Sequence, residues 1–417
     1  MSAIQICGGK SLCGEIRIQG SKNAVLPMMA ASLLHRGVTV IENVPIIQDV
    51  SCMMGILEYI GCKCMMKEHT LRIDSTGEVS WEIPECRVRQ MRSSVILLGA
   101  LLGREGRAVT AYPGGCSIGS RPIDFHIQAL KKLGAGILEN GSRIEAYTKR
   151  LSGAEIWLPF PSVGATENAL LGAVKAKGRT VIQGASMEPE ILALCHFLKG
   201  MGAVITGEGT GRLIIDGVEE LQDSHFTAPG DRIVAGTYLI AAMAAKGNIK
   251  VSGIVPKELS SVTALLEESG AEIGKGQDFI SLSMDTRPKA VCAFTGPYPA
   301  FPTDLQSPFL ALMSGAEGTS RIEENVFEGR YETAGELQKM GADIKIEGKT
   351  AFIKGRKSLY GAIVEAADLR GGAALVTAAL GADGVTRIER CFHIERGYED
   401  ICRDLRAAGA DIGWTDS

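Results

Sequence analysis

The chain has 417 residues, of which 45 % are hydrophobic and 22 % are charged, and its formal net charge is −4. This composition is typical of a globular protein, and the small acidic excess argues against a general nucleic-acid binder. A chain of this length exceeds what one hydrophobic core normally fills, so two domains are expected. The N-terminus lacks a signal-peptide pattern, and the longest apolar run, from Ile233, falls short of the roughly 20 residues of a membrane span.

Eleven cysteines are scattered along the chain without the spacing of a metal site or a disulfide framework. They indicate a reducing, cytoplasmic location, and ten of them are expected to be small buried residues. The six histidines also lack the spacing of a metal site, so no metal is expected.

Two landmarks recur six times along the chain and predict six copies of one α/β unit. The first is a glycine that ends a helix and precedes a strand. These glycines recur every 68 to 73 residues and are Gly61, Gly134, Gly202, Gly270, Gly341 and Gly409. The second landmark is a glycine before a β-branched alternation, found at Gly37, Gly106, Gly178, Gly247, Gly318 and Gly384.

Each repeat is predicted to contain an apolar first helix, a strand, an amphipathic second helix and further strands such as RLIIDG and TAFIKG. The last repeat ends without those further strands. The segment that starts at Ile6 aligns with the one that starts at Ile353 and supplies the missing part. We therefore expect one three-repeat domain in residues 22–229 and another in residues 230–417, completed by residues 1–21.

The second repeat is the only long one, with 28 residues between the two landmarks against 23 to 25 in the others. The extra residues lie in YPGGCSIGSRP, from Tyr112 to Pro122, which carries Cys116 and Arg121. Insertions that a fold does not require are often functional, so this loop is a candidate site. The alternative is a flexible excursion with an incidental thiol.

The first helices are apolar on nearly every face, which predicts that they are buried. Their openings are nevertheless polar: Lys22, Asn23, Arg89, Arg92, Asp231, Arg232, Asp304, Asp368 and Arg370. Helix capping alone accounts for the aspartates but not for the cations, because a positive charge at a helix N-terminus opposes the helix dipole. An anionic ligand would remove that conflict. Three more arginines lie in the equivalent loops before the second helices: Arg121, Arg330 and Arg396.

Eight segments occur in order along the chain: SKNAVLP, PGGCSIGSRPIDFH, PSVGATEN, EPEI, FPTDLQ, FEGRY, DLRGGAALV and HIERGYED. Together they resemble the UDP-N-acetylglucosamine enolpyruvyl transferases over essentially the whole length. The resemblance implies two domains of three α/β repeats each, packed as inverted α/β barrels with the active site between them. It implies transfer of the enolpyruvyl group of phosphoenolpyruvate to the 3-hydroxyl of UDP-N-acetylglucosamine, with release of phosphate. It further implies no metal or organic cofactor. The net charge and the short apolar runs argue against a nucleic-acid or membrane partner, and no obligatory protein partner is readable from the sequence.

The resemblance also implies roles for individual residues. Cys116 resembles the general acid that protonates the methylene carbon of phosphoenolpyruvate, and the thiol that fosfomycin alkylates. Asp304 resembles the carboxylate that accepts the sugar hydroxyl proton. The residues that resemble the phosphate clamp are Lys22, Arg121 and Arg396, and Asn23 lies beside Lys22. The residues that resemble the groups holding the reacting centre and the carboxylate of phosphoenolpyruvate are Arg330, Asp368 and Arg370.

Uridine-nucleotide contacts are implied for Arg92, Arg121, Pro122, Ile123, Asp124, Phe125, Ser162, Val163, Gly164 and Val326. The sequence departs from the family at two positions. Phe160 stands where some members have lysine, and Gly329 stands where asparagine is frequent.

Two other functions are open. One is synthesis of 5-enolpyruvylshikimate 3-phosphate on the same scaffold, against which the thiol loop and SKNAVLP argue. The other is a non-catalytic relative that binds a UDP-sugar and regulates wall synthesis. Such a relative would be expected to have lost Cys116, Asp304 or Arg396, and all three are present.

Overall fold

A computed structural model of the protein describes residues 3–114 and 122–415. In chain order its strands are β1 (Ala3–Cys7), β2 (Cys13–Arg17), β3 (Val38–Glu42), β4 (Lys63–Lys67), β5 (Thr70–Asp74), β6 (Arg107–Ala111), β7 (Gly136–Asn140), β8 (Arg143–Tyr147), β9 (Glu155–Trp157), β10 (Arg179–Gln183), β11 (Val204–Thr206), β12 (Arg212–Asp216), β13 (Ser224–Thr227), β14 (Asn248–Ser252), β15 (Glu272–Lys275), β16 (Phe279–Ser283), β17 (Cys292–Phe294), β18 (Thr319–Glu323), β19 (Asp343–Glu347), β20 (Thr350–Lys354), β21 (Ile363–Glu365), β22 (Val385–Glu389) and β23 (Asp411–Thr415).

The α-helices are α1 (Lys22–Ala31), α2 (Gln48–Tyr59), α3 (Glu85–Val88), α4 (Leu97–Glu105), α5 (Asp124–Lys132), α6 (Val163–Ala173), α7 (Pro189–Gly200), α8 (Arg232–Ala244), α9 (Ser260–Glu268), α10 (Gln306–Ser314), α11 (Thr333–Lys339), α12 (Leu369–Leu380) and α13 (Ile401–Ala407). Short 3-10 helices occupy Ser32–Leu34, Arg92–Ile96, Pro256–Leu259, Thr303–Leu305, Glu328–Tyr331 and Cys391–Arg396.

The described residues divide into two compact units. The N-terminal unit contains residues 20–114 and 122–229, and the C-terminal unit contains residues 3–19 and 230–415. Each unit has its own hydrophobic core. The molecule is therefore an α/β protein with two cores, each formed by its own part of the chain.

The predicted repeat is confirmed in its order of elements. In the third repeat, for example, the apolar helix α6 is followed by β10, the second helix α7 and the hairpin β11–β12, and RLIIDG and TAFIKG form strands β12 and β20. All six glycines of the first landmark have positive φ, from 91° to 113°, and follow second helices α2, α5, α7, α9, α11 and α13. This left-handed conformation ends the helix and is open to glycine at little cost.

The first helices are buried, as their composition predicts. All twelve residues of α12 are buried, as are residues 232–243 of α8. Small residues allow close packing, since a Cβ added at Gly236 would lie 2.4 Å from Leu305 Cδ1. In α8 and α12 even the arginine of the first turn, Arg232 and Arg370 respectively, is buried.

The described strands form six sheets, and the edge strands tie each unit into a closed series of repeats. In the N-terminal unit β13 follows the third repeat in the chain but belongs to the sheet of the first repeat, where it runs parallel to β3. In the C-terminal unit β1 lies between β22 and β23 and is antiparallel to both, while β2 runs parallel to β14. The first 17 residues therefore supply strands to two sheets that are otherwise built from the C-terminal half of the chain.

The expectation that ten of the eleven cysteines are buried is wrong. Four of the described cysteines are exposed: Cys7, Cys13, Cys86 and Cys292. Three of these lie on strands β1, β2 and β17, at positions where the side chain faces solvent. Alternate residues of a strand point to opposite faces, and sequence composition does not tell which face is covered.

Every helix in residues 3–114 and 122–415 falls short of the length and apolarity that a membrane crossing requires.

Candidate active site

Lys22 is the first residue of α1, and Asn23 follows it at a half-buried position. The Nζ atom of Lys22 lies 3.2 Å from Oδ2 of Asp49 in α2, and the two side chains are only 12 % and 7 % exposed. The charge of Lys22 is thus partly balanced within the protein. The sequence did not single out Asp49, because a carboxylate in the first turn of a helix is already explained by its favourable interaction with the helix dipole.

The N-terminal unit contains a pocket of about 390 Å³. Four predicted nucleotide contacts line it, namely Arg92, Pro122, Ile123 and Asp124, together with Tyr112, Lys131 and Glu139. Arg92 opens the 3-10 helix that leads into α4, and Asp124 opens α5. The volume suits a small-molecule ligand, and the walls offer apolar side chains with groups of both charges.

Ser162 caps α6, where its Oγ accepts a hydrogen bond from the Ala165 amide at 3.4 Å. A Cβ at Gly164 would lie 2.9 Å from Cε1 of His126 in α5, so the start of α6 approaches α5 closely where glycine stands. Phe125, also in α5, is partly buried against the core. The predicted segment 162–164 therefore lies beside the helix that carries Asp124.

A fully buried amide links the three segments that carry the predicted nucleotide contacts. The Nδ2 atom of Asn168 in α6 lies 2.9 Å from the Val95 carbonyl oxygen and 3.1 Å from Nδ1 of His126. Its Oδ1 accepts a hydrogen bond from the Gly99 amide at 2.6 Å. Asn168 thus ties α6 to α5 and to the helix that begins at Arg92. Asn168 lies in the PSVGATEN segment, but its position in the sequence did not predict a structural role.

Glu167, one residue earlier in α6, is buried close to two other carboxylates. Burial raises its pKa to about 8, and the charges of Glu190 and Glu188 add to that shift. Removing a carboxylate from water disfavours its charged form, so Glu167 is held protonated at neutral pH.

In the C-terminal unit, Asp304 joins two predicted arginines. Its Oδ2 accepts a hydrogen bond from Nη2 of Arg370 at 2.8 Å, and its Oδ1 accepts one from Nη2 of Arg330. The two arginine side chains are 5 % and 4 % exposed, whereas that of Asp304 is 26 % exposed. A carboxylate reachable from solvent is therefore held by two guanidinium groups that are nearly inaccessible.

The opposite charges in this cluster stabilise the charged form of each group. Burial is the largest single effect on Arg370 and opposes its charged form, but the charge of Asp304, its hydrogen bond and the nearby Tyr398 and Asp231 together outweigh burial, so the pKa of Arg370 is raised. The Nε atom of Arg330 has no hydrogen-bond partner within residues 3–114 and 122–415. The cluster thus contains a buried donor whose hydrogen bond is not made by these residues.

Capping explains two of the three aspartates. Asp368 caps α12 by accepting hydrogen bonds from the amides of Arg370 at 2.8 Å and Gly371 at 3.0 Å. Asp231 caps α8 in the same way, with its Oδ1 accepting hydrogen bonds from the amides of Ile233 at 2.9 Å and Val234 at 3.1 Å. Asp304 caps no helix with its side chain, so the capping interpretation is wrong for it.

Val326 lies in a turn that a buried carboxylate organises. The Oε1 atom of Glu324 accepts hydrogen bonds from the amide of Val326 at 2.8 Å and from that of Phe327 at 3.0 Å. The hydroxyl of Thr303, next to Asp304, donates to the same carboxylate at 2.9 Å. Glu324 therefore holds the Val326 turn against the segment that carries Asp304, a role that sequence reasoning missed.

Arg396 ends the 3-10 helix that precedes α13 and is half-buried. Burial, together with the charges of Arg390 and Arg396, lowers the pKa of His393 in the same helix.

Cys116 and Arg121 lie outside the described residues. Within the part of the chain that is described, His, Cys, Asp and Glu side chains form no group able to hold a metal ion.

The two-unit α/β chain is similar over nearly its whole length to known proteins. The family model for EPSP synthase (3-phosphoshikimate 1-carboxyvinyltransferase) matches residues 6–405, so the chain belongs to this family. Among solved structures, the enolpyruvyl transferase NikO from Streptomyces tendae is similar at 25 % identity with a TM-score of 0.90, covering 100 % of this chain and 99 % of that one. EPSP synthase from Acinetobacter baumannii shares the fold at 17 % identity with a TM-score of 0.76, covering 100 % of both chains.

Other members of the family are more similar in sequence to this chain than these solved structures are. UDP-N-acetylglucosamine 1-carboxyvinyltransferase 2 of Caldanaerobacter subterraneus is 48 % identical over 413 residues, which is 99 % of each chain. UDP-N-acetylglucosamine 1-carboxyvinyltransferase of Thermotoga maritima is 45 % identical over 418 residues, or 100 % of this chain and 99 % of that one.

Proposed function

We propose that this protein transfers the enolpyruvyl group of phosphoenolpyruvate to the 3-hydroxyl of UDP-N-acetylglucosamine and releases phosphate. Its relatives with the carboxyvinyltransferase name support this at 44–48 % identity over 99 % or more of the chain. The observation that carries the proposal in the structure is Asp304 between Arg330 and Arg370. A reaction between a neutral hydroxyl and a doubly anionic partner needs a proton acceptor and fixed positive charge together.

The reaction proceeds by addition and elimination. The sugar oxygen forms a bond to C2 of phosphoenolpyruvate, while a proton is added to the methylene carbon C3. The C2–O bond to phosphate then breaks, and a proton leaves C3 to form the enol ether. The first step therefore needs one group that accepts the hydroxyl proton and another that donates a proton to carbon.

Asp304 accepts the hydroxyl proton. Two guanidinium groups favour the charged form of a carboxylate, and only the charged form accepts a proton. Its partial exposure, 26 %, leaves room for a hydroxyl to approach. Arg330 and Arg370 hold the carboxylate and the reacting centre, and Asp368 fixes the turn of α12 that carries Arg370.

Cys116 donates the proton to the methylene carbon. Neighbouring cations lower the pKa of a thiol and so ease the release of its proton. Lys22, Arg121 and Arg396 bind the phosphate, with Asn23 beside them. The pairing of Lys22 with Asp49 supports this role, because it holds the ammonium group at the start of α1.

The pocket around Arg92 and Asp124 binds the uridine nucleotide. Its volume of about 390 Å³ and its position beside the start of α6 support contacts from segments 122–125 and 162–164. Val326 adds a contact from the turn next to Thr303. The EPSP synthase alternative has less support, because the relatives with that name share the fold at 17–18 % identity.

Finer points of architecture and location belong to the same proposal. Each unit forms an inverted α/β barrel, which the cyclic exchange of edge strands and the buried first helices support. The protein works in the cytoplasm, without a nucleic-acid, membrane or obligatory protein partner and without a metal or organic cofactor.

The test is to mix the purified protein with phosphoenolpyruvate and UDP-N-acetylglucosamine. We expect released phosphate and a nucleotide-sugar that has gained the mass of the enolpyruvyl group. Parallel reactions with shikimate 3-phosphate test the alternative acceptor. Binding of both substrates without product would contradict the proposal, and product with shikimate 3-phosphate alone would favour the alternative.

A further inference from the structure

The side-chain amide of Asn168 bonds two backbone groups of a neighbouring helical region that lie four residues apart. Its Nδ2 donates to the carbonyl oxygen of Val95 at 2.9 Å, and its Oδ1 accepts from the amide of Gly99 at 2.6 Å. In a regular α-helix such a pair bonds directly. Val95 lies in the 3-10 helix Arg92–Ile96, and Gly99 lies in α4. A side chain of α6 therefore satisfies both groups at the point where the 3-10 helix passes into α4.

The partners of the amide fix its orientation. A backbone carbonyl only accepts and a backbone N–H only donates, so Nδ2 faces Val95 and Oδ1 faces Gly99. The second proton of Nδ2 faces Nδ1 of His126 in α5, 3.1 Å away. Nδ1 is then an acceptor, and the neutral imidazole carries its proton on Nε2. Both N–H groups and the oxygen of the amide are thus engaged, with α5 as a support.

Close packing confines the amide. Asn168 is 0 % exposed. A Cβ added at Gly99 would lie 2.3 Å from the backbone oxygen of Asn168 and 2.6 Å from its Oδ1, so glycine in α4 lets this helix approach α6. The ring of His126 packs against Gly164 at the start of α6. The amide is therefore held between α4, α5 and α6.

Loss of the amide has a defined consequence for the 3-10 helix. The Val95 carbonyl and the Gly99 amide would lose these buried bonds, which is costly unless the two groups bond each other. That direct bond is the one of an α-helix, and it would extend α4 toward Arg92. A 3-10 helix turns about 120° per residue and an α-helix about 100°, so over the five residues Arg92–Ile96 the direction of the first side chain changes by about 100°.

We propose that Asn168 is a positioning residue, which keeps residues 92–96 in 3-10 geometry and so directs Arg92 into the pocket that it lines. A binding group that is already held in the right direction does not have to be ordered when the ligand arrives, which favours affinity. The identity of the ligand, a nucleotide-sugar, rests on the proposed function.

Three single variants test this role in the full-length protein. Asn168→Leu keeps about the same size and removes all three hydrogen bonds, and Asn168→Ala removes them with less bulk. The matched control is Ser75→Ala. Ser75 is 1 % exposed, and its Oγ lies 2.9 Å from the carbonyl oxygen of His35 and 3.1 Å from that of Ser32, in the same unit. None of these three residues lines the pocket.

Calorimetry with UDP-N-acetylglucosamine measures the effect without turnover. We expect both Asn168 variants to raise the Kd about tenfold or more, because a misdirected arginine loses a charge-assisted hydrogen bond. The kcat at saturating substrate should stay within about twofold of wild type. Ser75→Ala should keep the Kd within about twofold even if its urea midpoint falls as far. A wild-type Kd in the folded Asn168 variants, or an equal rise in Ser75→Ala, would overturn the inference.

A double variant shows whether Asn168 acts through Arg92. Once Arg92 is replaced by alanine its direction no longer matters, so Arg92→Ala/Asn168→Leu should bind within about twofold of Arg92→Ala alone. Multiplied effects on the Kd would contradict the proposal. If the wild type binds the nucleotide-sugar and the variants follow this pattern, but no product forms, the proposed transfer fails and the positioning role stands.

Nitrogen-15 spectra of the six histidine rings test the bonding itself and need no ligand. The signals of His126 are identified by their absence in His126→Gln. At mildly alkaline pH we expect the proton of this ring on Nε2, with Nδ1 as the acceptor. A proton on Nδ1 would contradict the orientation of the Asn168 amide on which the inference depends.

Discussion

Asp304 and Arg370 are 66 positions apart in the chain, and their side chains meet at 2.8 Å. Each opens a different buried helix region, Asp304 before α10 and Arg370 in the first turn of α12. The carboxylate of Asp304 is partly exposed to solvent, whereas the guanidinium group of Arg370 is buried. Loss of either partner therefore costs stability, because it leaves a charge without its counter-ion.

Asp304→Asn keeps the size of the side chain and removes its charge. We expect kcat to fall by about 10²- to 10⁴-fold, the range for loss of a general base, with little change in the Kd for UDP-N-acetylglucosamine. Rapid-quench kinetics and calorimetry measure the two quantities. The control is Asp343→Asn, which breaks an exposed pair with Arg356 at 3.0 Å and should cost at most about 1 kcal/mol. Full turnover in Asp304→Asn would remove it from the proposed chemistry.

Arg92→Ala tests the pocket of the N-terminal unit. Loss of a charge-assisted hydrogen bond is worth about 1.5–3 kcal/mol, so the KM for the nucleotide-sugar should rise about ten- to a hundredfold with kcat nearly unchanged. Steady-state kinetics with saturating phosphoenolpyruvate gives both values. Arg89→Ala is the matched control, since Arg89 is exposed and pairs with Glu85 in the same short helix region. A KM equal to wild type would exclude Arg92 from nucleotide binding.

Glu167→Gln should change how stability depends on pH. The pKa of Glu167 is raised to about 8 in the folded protein, so between its unfolded value and pH 8 the folded state holds a proton that the unfolded state has lost. Rising pH therefore lowers the free energy of unfolding of the wild type over this window, by at most about 1.4 kcal/mol per pH unit from this group.

Glutamine in that position does not titrate, so the advantage of the variant should grow from about pH 5 to pH 8 and then level off. Urea unfolding at several pH values measures it. Glu155→Gln, at an exposed position of β9, should show no such trend. A constant difference between Glu167→Gln and wild type across the window would mean that Glu167 is not held protonated.

Cys116→Ser should retain binding of the nucleotide-sugar and lose most turnover, because a hydroxyl is a much weaker acid than a thiol at neutral pH. Calorimetry and phosphate release measure the two effects. Turnover at the wild-type rate would show that another group protonates the methylene carbon.

Fosfomycin gives an independent check on the same thiol. We expect peptide mapping to find the fosfomycin adduct on Cys116. Prior incubation with phosphoenolpyruvate should prevent this alkylation. The four exposed cysteines are competitors that exposure alone would favour. An adduct on any of them in preference to Cys116 would contradict the assignment of Cys116 as the reactive thiol.

Local features of the fold were predictable because their causes are local. A glycine in left-handed conformation ends a helix wherever it occurs, and the six helix stops were found from spacing alone. Buried helices such as α12 were recognisable from uniform apolarity. The caps at Asp231 and Asp368 also lie within three residues of the amides they bind. The face exposed by a strand is not local, which is why the four exposed cysteines were mispredicted.

Amino-acid sequence by itself determined the repeat, the helix ends, the chemical types at the helix openings and the family. Only the tertiary structure decided which polar groups meet: Lys22 with Asp49, Asp304 with Arg370, and Tyr398 with Thr237, 161 positions away. An ion pair or a hydrogen bond depends on distances of a few ångströms between atoms, and those distances arise only when the elements of one repeat, or of different repeats, pack together. The pattern of one segment contains its own periodicity but not the position of its neighbour, so the partners became visible only in the folded chain.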